Sequence, residues 1–129
     1  MIVVDASCVV EVLLRTERAD SIESRWRREG SLHAPEVIDL EILQVMRRLV
    51  AQREVSEDRA MLAIGMLDRL TLRRWSHGPL CRRVWVLRKN LTAYDAAYVA
   101  LAERFDCPLI TRDGRLVRSA GHRARIEGV

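Results

Sequence analysis

The chain alternates short apolar runs with longer segments of helical period. Residues 1–4 form a β-branched apolar run that predicts a buried strand, ended by Asp5. Residues 6–14 predict a helix with Asp5 or Ser7 as its cap, and residues 17–28 a polar, charge-rich helix. Gly30 and Ser31 punctuate, and residues 32–34 predict a second short strand. Pro35 suits the first turn of a helix that runs to about residue 52. In that helix Glu41 lies at the edge of the apolar arc and Asp39 nearer its middle, so periodicity marks Asp39 as the odder residue. Ser56 caps an amphipathic helix to residue 69. A strand over 70–75 and a short basic helix over 80–89 come next. Residues 108–111 predict a further strand, Asp113-Gly114 a turn opening a last helical turn, and residues 124–129 an edge strand.

The helix over 94–105 differs from the rest. It is apolar nearly all round, broken only by Asp95, Glu103 and Arg104, so it belongs in the interior. Asp95 shares a stripe with Tyr98, Val99 and Ala102. A carboxylate there must be hydrogen-bonded, protonated or bound to a cation. Thr92-x-x-Asp95 is also a capping-box pattern, with Asp95 near the positive end of the helix. Plain accounts exist for the other acids too: Asp5 as a helix cap, Asp113 as an Asx-turn residue, and Glu41 as a solvated face residue.

Short strands alternating with longer helices predict an α/β fold, a short and mostly parallel sheet wrapped by helices. Ligands of such sheets bind beyond the carboxyl ends of the strands. Asp5 and Asp113 each follow a predicted strand, and Asp95 begins a helix that leads into one. Three aspartates can therefore gather at one edge of the sheet.

Composition narrows this picture. At 129 residues, 49% of them apolar, the chain reads as one domain over residues 1–129 with a real core. Charges of both signs are interspersed, which excludes a disordered chain. The net charge of +4 suits a polyanionic partner. Trp, Tyr and Phe number three, two and one and form no interleaved basic–aromatic patch, so base stacking is not expected to dominate RNA binding. No segment is long enough to span a membrane, and Asp5 and Glu11 interrupt the N-terminal run, which is no signal peptide. Cys8, Cys81 and Cys107, odd in number and widely spaced, suit buried thiols in a reducing, cytoplasmic compartment. His33, His77 and His122 lack ligand spacing and are expected to be structural.

Around the acids the local sequence adds more. MIVVDAS, PEVIDLEILQVMRR and LTAYDAAYVALAERFDCPLITRDGRL resemble the PIN-domain ribonucleases, specifically the VapC-type toxins of bacterial toxin–antitoxin pairs. The resemblance covers nearly the whole chain, with little signal between residues 55 and 90. It implies a three-layer PIN-like fold and one acidic, metal-binding, catalytic pocket. Matched motif by motif, that pocket takes Asp5, Glu41 (over Asp39), Asp95 and Asp113, with Ser7 and Thr111 lining it. Asp5 and Asp95 are the expected primary ligands.

Oxygen-only ligands select hard cations, so one or two Mg²⁺ or Mn²⁺ ions are implied, about 3.5–4 Å apart if two bind. Crowded carboxylates raise one another's pKa, and a cation converts that repulsion into binding. The resemblance implies hydrolysis of RNA to a 5′-phosphate and a 3′-hydroxyl, a homodimer, and inhibition by a VapB-type antitoxin. Arg112, Arg115, Arg118 and Arg123 follow the last acid and are candidate phosphate contacts or a solvated basic face. Competing readings are a PIN nuclease of RNA maturation, a catalytically silent protein-binding module and a phosphoacceptor receiver domain. The last requires an acidic pair after the first strand and a lysine near the last, and this chain has neither.

Overall fold

The computed structural model describes residues 1–129. Five short strands form one sheet: β1 (Ile2–Val4), β2 (Leu32–Pro35), β3 (Leu72–Trp75), β4 (Leu109–Thr111) and β5 (Ile126–Gly128). Their order is β3-β2-β1-β4-β5, and all four pairings are parallel. Seven helices wrap it: α1 (Ala6–Leu13), α2 (Ala19–Glu29), α3 (Ile38–Ala51), α4 (Glu57–Arg69), α5 (Cys81–Val86), α6 (Ala93–Phe105) and α7 (Gly114–Val117). The result is the expected three-layer α/β arrangement.

The apolar runs explain the layering. β1 and β4 are buried on both faces, as strands covered by helices on two sides must be. Helix α6 lies against β1, β2 and β4, while α1 packs on α2, α3 and α4. Residues from Ala96 to Ala102 are all buried, because all but Tyr98 are small or aliphatic and the Tyr98 hydroxyl finds Glu41 as its partner. One core of 32 buried residues joins these layers.

Two boundaries and one side chain's environment depart from the sequence reading. Pro35 is the last residue of β2, paired with Trp75, and α3 begins only at Ile38. Proline has no N–H to give the ladder, so a strand end costs it nothing; the N–H of Glu36 makes the next bond, to Trp75 O. The basic helix shortens to α5 because three-residue 3₁₀ turns replace it at both ends, Gly78–Leu80 and Leu87–Lys89. Glu103, one of the three residues that break the apolar run of α6, has a side chain only 2% exposed. Arg83 of α5 grips it with two bonds of 2.7 and 2.9 Å, and it also accepts the N–H of Arg123.

The strand order places one feature of consequence. The strand order reverses at β1: the chain runs outward from β1 to β2 and β3, then crosses back to β4 and β5 on the other side of β1. The crevice beyond the carboxyl ends of β1 and β4 is thus the switch point of the sheet, where such folds hold their ligands.

Candidate active site

Asp5 closes β1 at that crevice and is 8% exposed. It holds the cap position of α1, yet its side chain makes no capping bond. Two hydroxyls claim it: Ser7 Oγ donates to Asp5 Oδ2 at 2.7 Å and Thr111 Oγ1 donates to the same oxygen at 2.6 Å. Oδ1 is left free of both. Thr111 Oγ1 in turn accepts the N–H of Asp113 at 2.9 Å, and Ser7 Oγ accepts the N–H of Arg112 at 3.0 Å. The ends of β1 and β4 are thereby stitched through one carboxylate.

Asp113 does cap α7, accepting the N–H of Arg115 at 2.8 Å. Thr92 caps α6 by accepting the N–H of Asp95 at 3.2 Å. The local accounts of these two acids are therefore correct as far as they go. They do not account for the carboxylates, which line a cleft of about 690 Å³ together with Asp5, Ser7 and Glu41. Four acids from four separate segments meet on one surface.

Their electrostatics carry the mark of crowding. Burial pushes Glu41 up to about 7; the charges of Asp5 and Asp95 add to the rise, and a bond from Tyr98 Oη at 2.9 Å opposes it. Asp95 is raised from the ordinary carboxylate value, again by burial first and then by Asp5, with Thr92 acting against it. Burial and the neighbouring Glu41 also hold the Tyr98 phenol protonated, so it remains a donor to Glu41. No three acidic, histidine or cysteine side chains converge tightly enough to hold an ion without adjustment. The donor set is nevertheless all carboxylate and hydroxyl oxygen, which fits a hard divalent cation.

Asp39, the odder acid by periodicity, points elsewhere: Arg74 grips it with bonds of 2.7 and 2.8 Å. An apolar arc cannot register an arginine arriving from a neighbouring strand. Among the arginines, Arg112 pairs with Glu11 and is committed to α1. Arg115 is exposed, with Nε 3.7 Å from Asp113 Oδ1. Arg123 uses its backbone on Glu103. Tyr98 was visible only as a stripe-mate of Asp95; its bond to Glu41 fixes the glutamate. Leu40, Gln44 and Tyr94 also line the cleft, and no spacing pointed to them; Thr92, marked by its capping-box spacing, lines it too. Of the thiols, Cys8 and Cys107 are buried as expected, but Cys81 is exposed because it opens the one-and-a-half-turn helix α5 at the surface.

The PIN-domain family profile matches residues 2–121. Ribonuclease VapC12 of Mycobacterium tuberculosis is 41% identical over 127 residues, 98% of each chain. Among solved structures, VapC20 of M. tuberculosis, described as a sarcin-ricin loop cleaving toxin, has a TM-score of 0.68 at 16% identity, covering 95% of this chain and 97% of that one. VapBC2 of Rickettsia felis, solved on a DNA fragment from its promoter, has a TM-score of 0.71 at 11% identity, covering 99% and 98%. No helix is long and apolar enough to cross a membrane.

Proposed function

This chain belongs to the PIN-domain family as a VapC-type toxin, an endoribonuclease, and we propose that it cuts RNA with Asp5, Glu41, Asp95 and Asp113 as a divalent-metal site. The observation that carries the reading is the meeting of these four acids on one cleft, two of them raised by burial and by their neighbours. Asp5 and Asp95 would hold the primary ion, Mg²⁺ or Mn²⁺, with Glu41 and Asp113 holding a second or orienting the attacking water. A cation bound there would supply a more acidic water and offset charge on the phosphate and the leaving oxygen.

The protein's own groups do the rest. Ser7 and Thr111 fix the rotamer of Asp5 from below, so that its free oxygen is presented without a search. Tyr98 holds Glu41 Oε1, leaving Oε2 to take the proton of a water. Arg115 stands at the rim, where an exposed guanidinium can meet a phosphate; Arg112 contributes through its ion pair with Glu11. The expected products carry a 5′-phosphate and a 3′-hydroxyl.

We read residues 1–129 as one PIN domain acting on RNA in the cytoplasm as a homodimer. A VapB-type antitoxin would cover the cleft, an arginine of its C-terminal segment taking the place of the cation among the acids. The VapBC assembly of R. felis supports such a partner. The test is cleavage of total cellular RNA with Mn²⁺, then with excess EDTA, and mapping of the ends. Cuts that persist undiminished in EDTA, or that leave a 2′,3′-cyclic phosphate, sink the reading.

A further inference from the structure

A second, smaller pocket of about 200 Å³ opens beside the carboxylate cleft, and Val37 and Tyr94 belong to the walls of both. Its surface is almost wholly apolar, and His77 and Cys81 are among its lining residues. The ring is held: Val37 N–H donates to His77 Nε2 at 3.1 Å, while Cys81 Sγ donates to His77 O at 3.3 Å. This is a preformed slot of fixed shape, large enough for one flat ring and too small for a helix.

Cys81 and Val84 of α5 line the slot, and residues three and four positions after Cys81 share its helix face. That face continues as Trp85, and Arg88 follows in the 3₁₀ turn that ends the helix. Trp85 is 67% exposed, and the Arg88 guanidinium carbon lies 4.6 Å from its ring centre. Arg82 and Lys89 are exposed on the same short segment. Residues 82–89 thus carry a basic–aromatic patch within one stretch of sequence, contrary to the sequence reading, and α5 sets it beside the slot. An exposed indole stacks on bases, and the flanking cations suit phosphates.

We propose that this slot seats one base of the RNA substrate beside the cut, and that α5 and the 3₁₀ turn after it carry the strand onward, with Trp85 stacking a base and Arg88 meeting its phosphate. The inference rests on the carboxylate cleft being where the strand is cut. An endoribonuclease must draw a single strand across its acids, and selective recognition of single strands works by splaying bases into such slots. The slot adjoins the cleft through two shared walls, so a strand lying on the acids can reach it. Tyr94, 62% exposed, stands between the two sites as a ring on which the departing base can turn.

Cys81 provides a direct probe, because it is the exposed thiol while Cys8 and Cys107 are buried. The full chain is alkylated with iodoacetamide in EDTA, with and without a fluorescein-labelled uridine hexamer whose binding is followed by anisotropy. Saturating RNA should slow the reaction of Cys81 at least fivefold. An unchanged rate, or no binding of the hexamer at millimolar concentration, overturns the proposal. So does a rate that falls as protein concentration rises without RNA, since the slot would then be a contact between copies.

In a second arm, RNAs varied at each nucleotide flanking the cut are cleaved with Mn²⁺ by the parent and by Ala93→Phe. Ala93 lines the slot but is exposed, so the larger side chain can fill the space without entering the core. One flanking position should show a base preference in the parent that shrinks at least tenfold in the variant. A preference that survives the filling, or none at any position, overturns the proposal. Asp5→Asn separates the two readings: it should protect Cys81 as the parent does while failing to cut, and if it cuts, the cleft assignment falls whatever Cys81 reports.

Discussion

Asp5 is a helix cap by position and not by bonding, and that distinction gives a sharp test. A capping aspartate is replaced by asparagine at little cost, and an acid in the first turn contributes roughly 0.3–1 kcal/mol through the helix dipole. In this cleft the dominant effect is different. Asp5 and Asp95 repel each other and Glu41, so removing either charge relieves the metal-free protein. Asp5→Asn and Asp95→Asn should leave the metal-free Tm unchanged or raised and cut RNA at least 100-fold more slowly, roughly 2.7 kcal/mol in the barrier. The control on α6 is Arg104→Gln, an exposed position, which should cut normally; an Asn variant that cuts as fast as this control loses its assigned role. Glu41 adds a pH signature. Its folded value of about 7 lies above the ordinary value of 4.5, so the folded state binds this proton more tightly than the unfolded chain does. The stabilisation is complete below about 4.5 and is lost as pH rises through about 7. His33, lowered by burial, works in the opposite sense, since the folded state resists its protonation. The difference between parent and Glu41→Gln removes that contribution. In EDTA the parent's Tm should fall relative to the variant's between pH 5 and pH 8, and parallel curves would mean that Glu41 is not raised.

Helix α6 shows how far an element can be read before its neighbours are known. Its depth follows from composition: a run of small and aliphatic residues has no polar face to show to water. Its start follows from Thr92, a capping residue whose bond to Asp95 N–H is made. Its partner did not follow. Nothing around Glu103 names its partner, because Arg83 lies twenty positions earlier on a separate helix, and helical spacing is blind to that distance. The same limit hid the Arg74 grip on Asp39 and left periodicity unable to choose between Asp39 and Glu41. The Arg83–Glu103 pair now carries its own prediction. Glu103→Gln keeps the shape and halves the charge-assisted bonding of a buried acid beside a partly exposed arginine. Breaking such a pair leaves a charge without its partner, at a cost of about 2 kcal/mol here. Tm should drop by roughly 6–8 °C while RNA cleavage per folded molecule stays near the parent's, because Glu103 lies away from the cleft. A variant that melts like the parent would show that the clamp between α5 and α6 contributes nothing measurable.

At the scale of the molecule, the acids are separated by up to 108 positions and are brought together only by the strand order. The pattern of short apolar runs announced the strands and their layer, since buried parallel strands have a composition of their own. It carried no information on which strand lies beside which, and hence none on whether Asp5 and Asp113 would share a crevice. Motif resemblance supplied that link, through the segments around residues 5, 41, 95 and 113, and it had nothing to offer between residues 55 and 90, where α5 and its exposed indole lie. Because the acidic cluster exists only when β1 and β4 are adjacent and α3 and α6 are docked, a cation can use it only in the folded chain. Linkage then fixes the size of the response: a ligand at 100 times its Kd stabilises the state it binds by about 2.7 kcal/mol. In the parent, millimolar Mn²⁺ should therefore raise Tm by roughly 8–10 °C, with Mg²⁺ acting in the same direction. In Asp5→Asn most of that rise should vanish even though the metal-free variant melts no lower, since the charge that repels its neighbours is the charge that binds the ion. The Tm of the parent and of Asp5→Asn, each with and without Mn²⁺, decides the matter. Equal rises in the two proteins would place the ion elsewhere on this basic surface, and no rise in either at millimolar ion would leave the four carboxylates without the shared task assigned to them.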